Sequence, residues 1–168
     1  MSDKPIWALS ATELVKKTKN NDLSATEITF AYLEHIKTIN PELNAIVDDM
    51  SKEAIKRAEN LDSAAKSGDS KGRLFGVPVT VKINVDQKGY ATSNGVSALK
   101  NSIASQNAPI VDHLLNAGAI FVGRTNTPEF SFRAETENPL YGRTHNPWGK
   151  HLSPGGSSGG ASSAVMSG

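Results

Sequence analysis

Two places in this 168-residue chain concentrate residue types able to move a proton. The first is Lys82, set inside the run "VPVTVKINV" from Val77 to Val85. Val77, Val79, Val81, Ile83 and Val85 are β-branched and alternate, which predicts a strand with those residues on one face. Lys82 then shares the other face with Pro78, Thr80 and Asn84. That face can simply be the polar side of a strand turned toward water. It can also hold the lysine in low dielectric, where burial disfavours the ammonium and leaves a neutral amine to act as a base. Thr80 and Asn84 would then offer neutral hydrogen-bond partners.

The second place is "SPGGSSGGASSAVMSG", Ser153 to Gly168. Ser157 and Ser158 lie between Gly155-Gly156 and Gly159-Gly160, and glycine on both sides admits unusual backbone angles and close approach to the main chain. A helix starting just after would aim unpaired N–H groups at the serines and favour negative charge there. The same composition suits a flexible linker or an anion-binding nest. The pattern G-x-S-x-G occurs twice, but a nucleophile elbow of the α/β-hydrolase kind needs an acid and a histidine later in the chain. Eleven residues follow Ser157 and none is Asp, Glu or His, while His35, His113, His145 and His151 all precede it. The elbow reading fails within this sequence.

The elements that must carry these residues are partly legible. "LSATE" occurs at Leu9–Glu13 and again at Leu23–Glu27, each a capping box in which Ser10 or Ser24 pairs with Glu13 or Glu27 at a helix start. Ile28, Tyr32, Ile36 and Ile39 follow at helical spacing, with Pro41 as the expected stop. A third helix fits Ser51 to Lys66, with Ala54, Ala58, Leu61 and Ala65 in one stripe and Gly68 beyond its end. After the Val77–Val85 strand, a helix over Pro109–Asn116, a glycine stop at Gly118 and a strand over Ala119–Gly123 predict a parallel pair joined by a right-handed crossover. Thr125 to Ser153 reads as irregular, and a helix is expected from Gly159 onward.

Bulk properties exclude several classes. A net charge of +1, with lysines interleaved by acids, gives no footprint for nucleic acid or an anionic membrane. The absence of cysteine removes disulfides, thiolate metal sites and thiol nucleophiles. "MSDKPIW" lacks an apolar signal core and "AGAIFVG" is too short to span a bilayer, so a cytoplasmic location is the expectation.

Taken in order, "GVPVTVK", "GRTNTPEF", "NPW" and "SPGGSSGGASSAV" strongly resemble the N-terminal part of the amidase signature family. The resemblance implies an α/β fold in which N-terminal helices precede part of a mixed, parallel-rich sheet. Residues 1–168 would be the N-terminal portion of a single amidase domain, helical over 1–70 and α/β with the motifs over 71–168. It further implies a Ser–cis-Ser–Lys triad acting on a carbon–nitrogen amide bond through an acyl-enzyme. By residue matching, Lys82 is the base and Ser157 the bridging serine, preceded by a cis bond from Gly156. Ser158 supports the hydrogen bonding. No metal and no organic cofactor is implied, and the partner is a small linear amide, with a homo-oligomer or the remainder of the amidase chain as a protein partner.

Two departures from the family pattern stand out. Ile83 follows the lysine where family members commonly carry an aspartate, and the first acid comes at Asp86. The glycine-rich D-x-G-G-S segment that carries the family's nucleophilic serine does not occur in these residues, so this chain alone is expected to be inactive. Two other readings share the same motifs. One is a non-catalytic subunit or pseudo-enzyme fragment, the other a glutamine-hydrolysing subunit of a tRNA-dependent amidotransferase.

Overall fold

A computed structural model describes residues 4–68 and 72–168. The order is α1 (Ala11–Lys19), α2 (Ala25–Leu43), β1 (Ile46–Asp49), α3 (Ser51–Lys66), β2 (Pro78–Lys82), α4 (Pro109–Asn116), β3 (Ile120–Thr125), β4 (Glu137–Asn138), β5 (Gly142–Arg143) and α5 (Gly159–Met166). Three strands hydrogen-bond in the order β1-β3-β2, and β4 pairs with β5 in a small antiparallel hairpin. The Val77 carbonyl accepts from Ile120 N–H and Ile83 N–H donates to the Thr125 carbonyl, so residue numbers rise together and β2 and β3 are parallel. β1 lies antiparallel to β3, with Asp48 opposite Arg124, which makes the sheet mixed. Among the described residues, no helix is long and apolar enough to cross a membrane.

The chain forms two compact units, one built from the residues up to Lys37 with Met50–Val79 and His113–Val122, the other from Thr38–Asp49, Thr80–Asp112 and Gly123–Gly168. In the first unit both capping boxes form. Ser10 Oγ accepts from Glu13 N–H while Glu13 accepts from Ser10 N–H at 2.7 Å, and Ser24 and Glu27 repeat the exchange at 3.1 and 2.8 Å. Asp62 of α3 adds a second cap to α2, accepting from the N–H groups of Ala25 and Thr26 and from the Thr26 hydroxyl. Ala25, Leu33, Ala54, Ala58, Phe75, Ile120 and Val122 make the main apolar cluster, and Leu14, Ile28 and Val77 a second one. α3 therefore packs through the alanine stripe seen in the sequence, whose small side chains let Ile120 and Val122 close on the helix.

In the second unit Arg124 of β3 is fully buried. Its guanidinium pairs with Asp48 at 3.0 Å, donates to the carbonyls of Ala91 and Val85, and lies 5.7 Å from the Tyr90 ring centre. Those bonds fix the loop that leaves β2. A buried amide set centres on Asn126 and Asn138. Asn138 donates to Asn126 Oδ1 and to the Thr127 carbonyl, and Asn126 donates to the Gly142 carbonyl and to Thr144 Oγ1. Charge and amide burial on this scale persists because both terminal nitrogens of Arg124 and both side-chain amides have acceptors, with Arg124 Nε the donor left unpaired among the described residues.

Two expectations change, and one strand lies outside them. Pro41 does not end α2, which runs on to Leu43. A proline in the last turn forfeits only its own N–H, and Asn44 N–H still closes onto the Asn40 carbonyl at 2.8 Å. The stop is Asn44, in the left-handed region at φ 48°, a conformation asparagine tolerates. The valine strand is shorter than its alternation suggests. It ends at Lys82, and Val85 N–H folds back to the Lys82 carbonyl, taking Asn84 out of the strand face. β1 has no counterpart among the sequence expectations, since four residues next to a helix carry no period of their own. α3, α4 and the helix from Gly159 fall where the sequence puts them, while β3 begins at Ile120 and extends to Thr125.

Candidate active site

Lys82 is the last residue of β2, and its Nζ donates to Ser157 Oγ at 2.8 Å and to Ser158 Oγ at 3.3 Å. Both partners are neutral hydroxyls. Burial of the half-covered side chain holds the amine below the usual lysine range. Ile83, where an aspartate was the family expectation, is completely buried and points into the core instead. Nothing anionic thus accompanies the amine from that position. Thr80 and Asn84 are not its partners, because the turn after Lys82 carries Asn84 elsewhere.

The serine loop is pinned rather than slack. The Gly156–Ser157 peptide is cis. A side chain at Gly156 would strike the Arg133 carbonyl oxygen and lie 2.5 Å from Ala134 C and 2.6 Å from Glu135 N, so only glycine fits. Thr136 Oγ1 grips the loop on both sides, donating to the Gly155 carbonyl and accepting from Gly159 N–H, each at 3.0 Å. α5 then starts at Gly159, and a Cβ on Gly160 would come within 2.5 Å of Asn126 N. Ser158 occupies the N-cap position without capping, because its hydroxyl faces Lys82.

Four further residues complete the arrangement. Thr127 Oγ1 donates to the Ser157 carbonyl at 3.0 Å, Ser131 Oγ sits 3.0 Å from Thr127 Oγ1, and Asn84 Nδ2 donates to Ser131 Oγ at 3.1 Å. Thr136 is the fourth. In the sequence, Thr127 and Ser131 stand inside "TNTPEFS", where nothing local separates a hydroxyl that holds a loop from one that meets water. Among the described residues, Ser157 Oγ has Lys82 as its sole hydrogen-bond partner, and no group of three or more His, Cys, Asp or Glu could hold a metal ion. The chemistry available is proton transfer between an amine of depressed basicity and a fixed hydroxyl.

The family model for amidases matches residues 27–168. Over 98% of this chain the sequence is 49% identical to an indoleacetamide hydrolase of Bradyrhizobium diazoefficiens, and over its whole length 41% identical to an acylamidase of Rhodococcus erythropolis. The chain spans about a third of the length of these curated relatives, 31% and 35% respectively. A solved bacterial aryl acylamidase of the amidase signature family superposes with a TM-score of 0.91 at 30% identity, over 95% of this chain and 34% of that one. The agreement of motif order, fold and matched family model leads to one assignment: the chain belongs to the amidase signature family.

Proposed function

We propose that the enzyme containing these residues hydrolyses linear amides of small molecules through an acyl-enzyme, with Lys82 as base and Ser157 as the bridging hydroxyl. The observation that carries this reading is the 2.8 Å contact between a partly desolvated lysine and a serine held in a glycine-bound loop. Neutral Lys82 takes the Ser157 proton as Ser157 takes one from the nucleophilic serine, which a segment outside these residues supplies. That serine attacks the amide carbonyl, and backbone N–H groups beside it hold the oxyanion. The proton returns along the same pair to the departing nitrogen as the C–N bond breaks. Water, deprotonated by the same route, then releases the acid. The names of the two hydrolase relatives support an amide substrate, and Ser158 supports the relay by sharing the lysine at 3.3 Å.

The test is Lys82→Ala in the full enzyme, assayed on indole-3-acetamide and on a simple acyl anilide, with the acyl-enzyme trapped by mass spectrometry. Turnover and trapping should fall by roughly 10³-fold or more while the melting temperature holds. Near-normal turnover would remove Lys82 from its role. Glutamine consumption that appears only when partner subunits and tRNA are added would assign the amidotransferase reading instead.

A further inference from the structure

We infer that Thr127 is a positioning residue for Ser157, and that a one-way chain of donors from Asn84 through Ser131 and Thr127 to the Ser157 carbonyl decides which of two adjacent serines Lys82 engages. This rests on the reading of Ser157 as the bridging hydroxyl. The direction of the chain follows from counting protons. A carbonyl cannot donate, so the Thr127 hydroxyl spends its single proton on the Ser157 oxygen 3.0 Å away. The 3.0 Å contact between Thr127 Oγ1 and Ser131 Oγ then needs the Ser131 proton. Ser131 Oγ is left to accept, which it does from Asn84 Nδ2 at 3.1 Å. Rotating the Asn84 amide would make its oxygen compete for the Ser131 proton and leave two hydroxyl oxygens in contact with no hydrogen between them. The observed orientation satisfies all three contacts and leaves Asn84 Oδ1 buried without a partner among the described residues.

Each member of the chain is itself held. Thr127 is fully buried, with its N–H on Asn126 Oδ1 and its carbonyl taken by Asn138 Nδ2 at 2.8 Å. Ser131 is set by a backbone in the left-handed region, φ 61°, after Phe130 at φ 50°. Thr136 fixes Gly155 and Gly159 on either side of the serines, and Thr127 grips the peptide between Ser157 and Ser158 through its carbonyl. That grip sets the Ser157 backbone and hence the direction of its Oγ. Lys82 reaches Ser157 at 2.8 Å and Ser158 at 3.3 Å, so a small rotation of this peptide is enough to exchange them. Misplacement on this scale is costly in catalysis because the reacting groups must be aligned before proton transfer.

The experiment compares Thr127→Val and Thr127→Ser in the full enzyme, with Lys82→Ala in parallel, on indole-3-acetamide. Valine keeps the packing volume and loses the proton; serine keeps the proton and loses a methyl. Thr127→Val should lower kcat roughly 10- to 100-fold with KM unchanged, and Thr127→Ser should stay within about threefold of the parent. Ser131→Ala should cost about 3- to 10-fold in the parent and nothing further in the Thr127→Val background, since it acts only through Thr127. Normal kcat in Thr127→Val, a serine variant as impaired as the valine one, or additive losses with Ser131→Ala would each overturn the chain. If Thr127→Val does not fold, Ser131→Ala decides alone, and an unchanged kcat sinks the proposal. An active Lys82→Ala would strike the proposed function itself, whereas an inactive one beside a normal Thr127→Val strikes only this inference.

Discussion

A lysine serves as a base only while it lacks its proton, so the environment of Lys82 sets the pH range in which the proposed reaction runs. Burial penalises the ammonium, and the two hydrogen-bond partners are uncharged hydroxyls. The amine therefore sheds its proton at a lower pH than an exposed lysine would. Turnover should climb with pH through that depressed value and level off above it. Stability has the same sign. The unfolded chain holds the proton more tightly, so the fold carries the cost of burying a charge at low pH and is relieved of it as pH rises between the folded and unfolded values. Lys82→Arg separates charge from basicity, because guanidinium donates hydrogen bonds but does not deprotonate in this range. Pre-steady-state acylation by Lys82→Arg should be absent at every pH, and a retained sigmoid pH–rate curve would place the base elsewhere.

At the scale of elements, the N-terminus of α2 depends on a partner far along the chain. The Ser24–Glu27 box serves part of the first turn, and Asp62 of α3 takes the N–H groups of Ala25 and Thr26 and the Thr26 hydroxyl, at 2.8, 2.9 and 2.6 Å. Asp62→Ala strands those donors at the seam of two packed helices. It should cost about 1–3 kcal/mol, read as a lower urea midpoint with an unchanged slope; a shift within error would show that solvent replaces the carboxylate freely. This cap also marks the boundary of what the sequence discloses. Capping boxes, the alanine stripe of α3 and the glycine stop at Gly118 are local, a few residues apart, and their period or cap chemistry is written in one stretch. β1, the Asn44 stop and the end of β2 at Lys82 are settled by partners remote in sequence, such as Arg124 against Asp48 and Asn44 against the Tyr141 carbonyl. At the site, a lysine in a valine strand and serines among glycines stand out. Composition alone equally suits a polar strand face and a linker, and it is the order of the family motifs that singles out Lys82, Gly156, Ser157 and Ser158. Thr127, Ser131 and Thr136 were not legible, since a threonine's role is decided by the acceptor it reaches and not by its neighbours.

Over the whole molecule, the unit that holds Lys82 and Ser157 also exposes Phe130, Phe132, Trp148, Val165 and Met166, with Phe132 88% and Trp148 75% accessible. The chain corresponds to about a third of its hydrolase relatives. Under the proposed function, the base and the bridging hydroxyl lie within these residues while the nucleophile and its oxyanion donors lie outside them. A fluorophosphonate reports on that division, because it phosphonylates a serine only when a base activates the hydroxyl and N–H donors receive the developing charge. Ser157 has the Lys82 contact, but in the proposed relay its proton traffic with Lys82 serves another hydroxyl. The 168-residue polypeptide should therefore stay unlabelled, and the full enzyme should be labelled at one serine beyond Gly168, with labelling lost in Lys82→Ala. Mass-spectrometric mapping of the adduct checks both arms. Stoichiometric adduct on Ser157 or Ser158 would make one of them the nucleophile and reverse the direction of proton transfer argued for the pair.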